Sequence, residues 1–171
     1  MGLEFLAWPV LGVFFGEAAD RWRRDHLERA LAFLPYGTAI DHFQHLVYEN
    51  PGASPADRRA MWSELESVYL PWRDYGDLPH LSNGGYWQFQ RHVYARPFYY
   101  IDYCLAQTCA LQLWSKAQTD HPGTMSTYKT LCSLGGSLPF QALCGEAGLQ
   151  SPLTDGCLDG VVASAEAWLG V

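Results

Sequence analysis

Charged side chains are scarce in this sequence, and their scarcity excludes an intrinsically disordered chain. Only 17% of the 171 residues are charged, whereas 49% are hydrophobic and 15% are aromatic. A disordered segment carries far less apolar surface, so the composition indicates a chain that folds or docks onto something. Since a typical domain holds about 100–200 residues, the length fits one domain or a large piece of a bigger one.

Basic residues are also in short supply. The sequence has 11 Lys and Arg residues against 18 Asp and Glu residues, which gives a formal net charge of -7 at pH 7. Such a charge repels phosphate backbones on average, so we expect no nucleic-acid partner. The one local basic cluster lies among acidic residues at positions 20–28, and this alternation of signs indicates a solvated helix face.

Paired cysteines and long apolar spans are missing as well. The five cysteines are odd in number and form no C-x-x-C pair, which favours reduced thiols in a cytosol. The apolar segment 1–16 contains Glu4, follows no basic region, and is shorter than the about 20 residues that span a bilayer. We therefore predict a cytoplasmic protein with no membrane partner, in which this segment is a buried helix and not an export signal.

Hydrophobic residues recur at helical spacing through most of the chain, and breakers fall between the repeats. The first predicted helix is apolar nearly all round, Pro35 is expected to end the second, and the segment from residue 98 is expected at the centre of the core. The predicted helices cover residues 3–15, 17–33, 36–48 and 98–114, with two further short helices from about Ser137 and about Asp155.

The middle of the chain carries one strong helix start and one predicted loop. Residues 54–57 (SPAD) predict a helix with Ser54 as its cap, and Met61, Leu65 and Val68 would form its inner face. Residues 71–85 are rich in Pro, Gly, Asp and Asn, which predicts an irregular loop. We expect residues 77–85, which end in the glycine-rich SNGG, to be among the most mobile ordered segments.

One helix face could be a metal site. His42, His45 and Glu49 lie on the same side of the helix predicted over residues 36–48 and its end. Zinc is usually held tetrahedrally by residues from two or more elements, and nothing nearby supplies a convincing fourth ligand. Polar residues on a partly solvated face are therefore the favoured interpretation.

The sequence contains no H-E-x-x-H motif. That motif places two imidazoles one helical turn apart, beside a carboxylate that activates water. None of the six histidines is followed by Glu, so no shift of register creates the motif.

A run of aromatic residues is the second candidate site. Tyr100 and Tyr103 are one helical turn apart, and two phenols at that spacing can aim their hydroxyls into one cleft, where a donor stabilises a developing oxyanion. Aromatic residues at helical spacing are also typical of a buried core. The residues alone leave both interpretations open.

Several segments spread along the chain together carry a resemblance to a known family. They are residues 3–9 (LEFLAWP), 33–37 (FLPYG), 41–45 (DHFQH), 47–51 (VYENP), 72–80 (WRDYGDLPH), 98–103 (FYYIDY) and 105–108 (LAQT). These segments resemble the oligoendopeptidase F family, which includes relatives of thimet oligopeptidase. The resemblance covers nearly the whole chain and is highly specific.

The resemblance implies an all-α fold, the carboxy-terminal helical part of a zincin-type oligopeptidase catalytic domain with an irregular glycine-rich loop, over residues 1–171. Family members are mostly helical enzymes with a deep channel, in which zinc is bound by H-E-x-x-H and a downstream Glu and short peptides are cleaved. The matching position of that downstream Glu falls a few residues before Met1, and Glu4 matches the next Glu of the same helix. We therefore assign no metal ligand in this chain and expect zinc only in the complete enzyme.

The resemblance also implies the substrate side of the site. Tyr103 is similar to the tyrosine that donates to the tetrahedral oxyanion, and His92 to a histidine that contacts bound peptide. Tyr100, or Tyr99 if the register differs by one residue, is similar to a further substrate tyrosine. The flexible loop that closes over substrate resembles the segment at Gly84 and Gly85.

Three functions are compatible with these features. The chain could complete a zinc oligoendopeptidase when joined to an upstream segment or subunit that carries the zinc motif, with short peptides as substrates. It could instead be a helical peptide-binding module without catalysis, or an inactive truncated product. Alone, the chain is expected to be inactive, and self-association is expected wherever apolar surface is left uncovered.

Overall fold

The computed structural model describes all 171 residues and contains helices but no β-strand, so the predicted all-α fold is confirmed. No helix combines the length and the apolar character needed to cross a bilayer. The α-helices are α1 (Gly2–Leu6), α2 (Gly12–Phe15), α3 (Ala19–Glu49), α4 (Pro55–Tyr69), α5 (Arg91–Ala95), α6 (Ile101–Ala117), α7 (His121–Leu134), α8 (Phe140–Glu146) and α9 (Asp159–Leu169).

The chain divides into two compact units. Unit 1 consists of Met1–Leu31 and Leu105–Val171, and unit 2 consists of Ala32–Cys104. Each unit has its own apolar core. In unit 1 one buried cluster comprises Leu113, Cys144, Ala147 and Leu149. In unit 2 the buried cluster comprises Ala39, Ile40, Phe43, Trp62, Leu65 and Trp87.

Proline does not end the second helix as predicted. Helix α3 continues through Pro35 to Glu49, so the two separate helices expected from the sequence are one. An interior proline costs about 3 kcal/mol because it removes one backbone hydrogen bond and clashes with the preceding turn. The apolar stripe of Ala39, Ile40 and Phe43 just beyond it is completely buried, and this packing outweighs the local cost.

The prediction of one buried helix over residues 3–15 is wrong. Helices α1 and α2 are separated by a short 3-10 turn, Trp8–Val10, which contains a proline without a donor N–H. Phe5, Leu6, Trp8 and Leu11 are buried, but Val13 and Phe14 are 83% and 75% exposed. An apolar surface is therefore open on unit 1.

The carboxy-terminal helices differ from their predicted positions. Helix α6 begins at Ile101, after Phe98, because Phe98 has a positive φ that no helix accommodates. Helix α7 was not predicted, although Asp120 caps it by accepting a hydrogen bond from the Gly123 amide at 2.9 Å. Helices α8 and α9 exist, but they begin about a turn after Ser137 and Asp155 and lack side-chain caps.

The helix start at residues 54–57 is confirmed. The Ser54 hydroxyl accepts a hydrogen bond from the Asp57 amide, and the Asp57 carboxylate accepts one from the Ser54 amide, which is a capping box. The inner face of α4 is shifted from the predicted one. Trp62 and Leu65 are buried, whereas Val68 is exposed.

The glycine-rich segment is packed against the protein, contrary to the expected mobile loop. Gly84 and Gly85 are buried within a tight turn, Leu81–Gly85. Gly84 has φ +75°, and a Cβ there would collide with the Arg59 carbonyl of α4 and with Ser63. The glycines therefore permit close packing on α4, and composition alone gave the opposite expectation.

A histidine lies inside the aromatic core of unit 1. The ring of His26 lies between those of Phe5 and Trp22, with centroids 4.4 and 4.6 Å away, and Trp8 Nε1 donates to its Nδ1 at 3.3 Å. Burial lowers the pKa of His26, and the Glu4 carboxylate, 3.5 Å from Nε2, opposes this only in part. The neutral ring is therefore the form that suits the fold.

We expect unit 1 to lose stability as the pH falls below about 6.5, the usual pKa of an unfolded histidine. The pKa of folded His26 lies below that value, so the unfolded chain binds its proton first and the free energy of unfolding decreases. His26→Gln should weaken this dependence between about pH 5 and 7 in urea unfolding series. His45→Gln, at an exposed histidine, should keep the parental pH dependence. If the two variants lost stability equally with falling pH, His26 would not be the residue responsible.

Candidate functional site

Four residues singled out from the sequence meet in unit 2. The His92 ring centroid lies 6.0, 5.1 and 5.8 Å from those of Tyr99, Tyr100 and Tyr103. Tyr103 is itself 5.5 Å from both other tyrosine rings. We call these four residues the tyrosine–histidine cluster. Its members come from α5, the link after it and the first turn of α6.

The cluster combines partial exposure with protonated phenols. Tyr99 is 44% exposed, and the other three members are partly buried. The hydrogen bond with Tyr99 raises the pKa of Tyr103, and burial raises that of Tyr100. Both hydroxyls therefore stay protonated at neutral pH and can donate hydrogen bonds to a negatively charged oxygen.

A strained backbone residue directs the chain into the cluster. Phe98 has φ +61° and is the one non-glycine residue with a positive φ. Its amide donates to Oε1 of Gln44 at 2.9 Å, and Gln44 is 1% exposed and bonded through Nε2 to the Ile40 carbonyl at 3.3 Å. The rings of His45 and Tyr48 each lie 4.9 Å from the Phe98 ring. Helix α3 thus holds the bend in place.

Two of the three candidate metal residues on α3, His42 and His45, have other partners. His42 Nδ1 lies 3.2 Å from the Tyr69 hydroxyl, and His45 Nε2 lies 3.4 Å from an Asp41 carboxylate oxygen. No group of three or more His, Cys, Asp or Glu side chains is placed to hold a metal ion. The residues present do not fit a zinc site, so no chemical step here is assigned to zinc.

A second layer of polar residues supports the cluster. The Tyr36 hydroxyl donates to Gln90 Oε1 at 3.0 Å, and Gln90 Nε2 lies 2.7 Å from His92 Nδ1. The Tyr36 ring packs edge-on against Tyr100, with centroids 6.1 Å apart. The cluster is therefore tied to α3 by both a hydrogen-bond chain and an aromatic contact.

Arg73 packs against the residues that support the cluster. The Arg73 guanidinium lies 4.3 Å from the Tyr86 ring centroid and 5.2 Å from that of Tyr36, and its Nη1 lies 3.4 Å from a Glu66 oxygen. Planar stacking of a guanidinium on aromatic faces restricts both partners. Since Tyr86 follows directly after Gly85, the packed glycines and the cluster are linked through Tyr86 and Tyr36.

Sequence reasoning missed the supporting residues Tyr36, Gln44, Arg73 and Gln90. Three of them lie in segments that carry the family resemblance, namely 33–37, 41–45 and 72–80. Gln44 offered a further signal, because it is an amide within the apolar stripe of α3. Gly84 and Gly85 lie instead against Arg59, Ser63 and His80.

The all-α fold agrees with the family resemblance found in the sequence. A family model described as Peptidase family M3 matches residues 16–162. The chain therefore belongs to peptidase family M3, a family of metallopeptidases. The resemblance inferred from the sequence is confirmed.

Three solved structures are similar to this chain. A crystal structure described as an oligoendopeptidase F is 53% identical with a TM-score of 0.94, and the match covers 99% of this chain and 30% of that one. PZ peptidase A, solved with an inhibitor, is 47% identical with a TM-score of 0.93, over 99% of this chain and 30% of the other. An oligoendopeptidase F from Bacillus anthracis is 42% identical with a TM-score of 0.79, over 99% and 27%.

The chain spans less than a third of the length of these relatives, with shares of 30%, 30% and 27%. No curated protein matches the sequence significantly.

We expect Gln44→Leu to release the Phe98 bend. The change leaves the partly buried Phe98 amide without its acceptor, which should cost about 1 kcal/mol of the free energy of unfolding. Urea unfolding measures this cost, and near-ultraviolet circular dichroism reports the packing of the tyrosines.

Gln118→Leu is a matched control, because the exposed Gln118 side chain bonds only to a carbonyl of α6, the helix that it follows, Trp114 O at 3.1 Å. Its effect should be smaller. A Gln44→Leu protein with parental stability and an unchanged tyrosine spectrum would show that the bend needs no support from α3.

Proposed function

We propose that this chain contributes the substrate-binding and oxyanion-stabilising groups of a zinc-dependent oligoendopeptidase that hydrolyses short peptides. The observation that carries the proposal is the convergence of Tyr99, Tyr100, Tyr103 and His92 at a partly exposed site. Membership of the family adds support, as do relatives whose names describe oligoendopeptidases.

Tyr103 has the central role in this proposal. Attack on a peptide carbonyl creates a tetrahedral intermediate whose oxygen carries a negative charge. A protonated phenol already in position donates to that oxygen more strongly than to the neutral carbonyl, so it lowers the barrier. The raised pKa of Tyr103, which follows from its hydrogen bond with Tyr99, keeps that proton in place.

The other members of the cluster would hold the peptide. His92, Tyr100 and Tyr99 present aromatic faces and polar edges that suit a peptide backbone. For Gly84 and Gly85 we propose an indirect part in substrate binding. Because they lack Cβ atoms, the turn packs against α4, and Tyr86 is thereby set against Tyr36 behind the cluster.

Peptidase family M3 is zinc-dependent in general. Since no donor set in this chain fits a metal ion, we propose that the zinc ligands belong to a segment or subunit outside these 171 residues. The open apolar surface at Val13 and Phe14 suits such a partner or a second copy of the chain. We place the complete enzyme in the cytoplasm because the five cysteines are free thiols.

A peptide-binding module without catalysis is the second candidate. The partial exposure of Tyr99 and His92 favours it, because the cluster is accessible to a ligand without any metal. The two functions differ in whether addition of a zinc-bearing segment produces turnover. An inactive product would show neither turnover nor peptide binding.

The purified chain alone is expected to bind no zinc at a stoichiometric site and to leave peptides uncut. The two imidazoles and the carboxylate needed to activate water are not brought together in it. Metal analysis and a quenched fluorogenic peptide measure both properties. Robust turnover that a chelator abolishes would contradict the proposal. His42, His45 and Glu49 would then be the candidate metal ligands.

Tyr103→Phe in an enzyme reconstituted with its zinc-bearing segment should lower kcat by about 10²–10³ while KM changes little. The ring and its packing are kept, so the free energy of unfolding should barely move. His92→Ala should weaken peptide binding as well as turnover.

Tyr94→Phe is the matched control, because Tyr94 is exposed and lies outside the cluster. It should leave kcat unchanged. If Tyr103→Phe kept kcat within a few-fold of the parent, the hydroxyl would have no catalytic role and the aromatic run would be core only.

A further inference from the structure

We propose that Gln90, held by Tyr36, is a positioning residue that fixes His92 in the tautomer with its proton on Nε2, so that His92 can act only as a hydrogen-bond donor to its ligand. The ligand group is then an acceptor, such as a peptide carbonyl or carboxylate. This last step rests on the proposed function, whereas the tautomer does not.

The contact between Gln90 and His92 determines which ring nitrogen of His92 is unprotonated. Gln90 Nε2 lies 2.7 Å from His92 Nδ1. An amide NH₂ group donates and has no acceptor lone pair, so Nδ1 must accept. In the neutral ring the proton is then on Nε2.

The direction of the Gln90 amide is set by Tyr36. The phenol oxygen lies 3.0 Å from Gln90 Oε1 and donates its proton there. This is the one hydrogen bond of the half-buried hydroxyl, so turning the amide round would leave that proton without an acceptor. Burial raises the pKa of Tyr36, which keeps the donor in place. Without it, the amide could rotate by half a turn and offer Oε1 to His92 instead.

The Tyr36 side chain is in turn restrained on several sides. Tyr86 and Tyr100 pack edge-on against its ring, with centroids 5.9 and 6.1 Å away, and the Arg73 guanidinium lies 5.2 Å from its centroid. The chain from Tyr36 through Gln90 to His92 therefore starts from a fixed point.

The tautomer determines what the site recognises. His92 lines a cavity of about 230 Å³ together with Arg91, Ala95 and Arg96. Arginine donates and never accepts, so a ligand that also reaches a protonated His92 Nε2 would meet only side-chain donors among these residues. A peptide carbonyl or carboxylate satisfies such a site, whereas a donor group from the ligand would be left unpaired.

The test is ¹⁵N NMR of the full chain labelled at histidine, at about pH 8.5, where imidazoles are neutral. We expect the parent His92 to carry its proton on Nε2. Gln90→Glu replaces the donor with a carboxylate acceptor of nearly the same shape, so the proton should move to Nδ1. Tyr36→Phe should give a mixture of the two tautomers, and it serves as the second variant if Gln90→Glu does not fold.

Gln88→Glu is the matched control. Gln88 is exposed, and the substitution adds the same charge two residues from Gln90. It should leave the His92 signals unchanged. A parent protein protonated on Nδ1, or a folded Gln90→Glu protein with parental His92 signals, would overturn the proposal.

Addition of acetyl-tetraalanine amide separates this proposal from the proposed function. If the peptide shifts the parent His92 Nε2 signal but not that of Gln90→Glu, both are supported. If the tautomer responds to the variants as expected and the peptide shifts nothing, the positioning role of Gln90 stands and the peptide-binding role of the cluster falls.

Discussion

Three of the four residues of the tyrosine–histidine cluster follow Phe98 within five positions, so the direction of the chain at Phe98 governs where their side chains lie. That direction is unusual, because Phe98 occupies a left-handed backbone conformation that a bulky side chain avoids. The buried Gln44 amide accepts the Phe98 N–H and offsets this strain. Without that contact, Tyr99 and Tyr100 would lose their placement and α6 its starting point.

The fourth residue of the cluster, His92, is placed by a second glutamine. Gln44 and Gln90 each use both ends of the amide group, so in both residues the amide nitrogen and the amide oxygen have a partner. Neutral amides suit this position because a buried charge would cost far more to desolvate. In the proposed function, the phenols and the imidazole are then the groups of the cluster that contact the ligand.

The sequence was most informative where local chemistry decides the structure. The capping box at Ser54 and Asp57 was predictable because its bonds join neighbouring residues. Pro35 was misjudged, since the packing that keeps α3 continuous involves residues distant in the chain. The same holds for Gly84 and Gly85, whose composition suggests a loose loop although α4 packs tightly against them.

The residues of the candidate site also differ in how far the sequence could predict them. Tyr103 and His92 were proposed as site residues from the family resemblance, which suggests chemistry even when its geometry is unknown. Their supports were not, because the bonds from Tyr36 to Gln90 and from Phe98 to Gln44 each join residues 54 positions apart. Helical periodicity carries no information on pairs at that separation.

The central claim is that this chain holds a preformed site for the tetrahedral oxygen of a peptide undergoing hydrolysis. The most direct measurement is NMR titration of the chain with a phosphinic peptide, whose anionic tetrahedral phosphorus resembles that intermediate, beside the amide peptide of the same sequence. We expect the phosphinic peptide to bind more tightly and to shift the signals of Tyr103, Tyr100 and His92. Equal affinity for the two peptides, or shifts confined to the separate cavity beside α4 lined by Arg59 and His80, would contradict it.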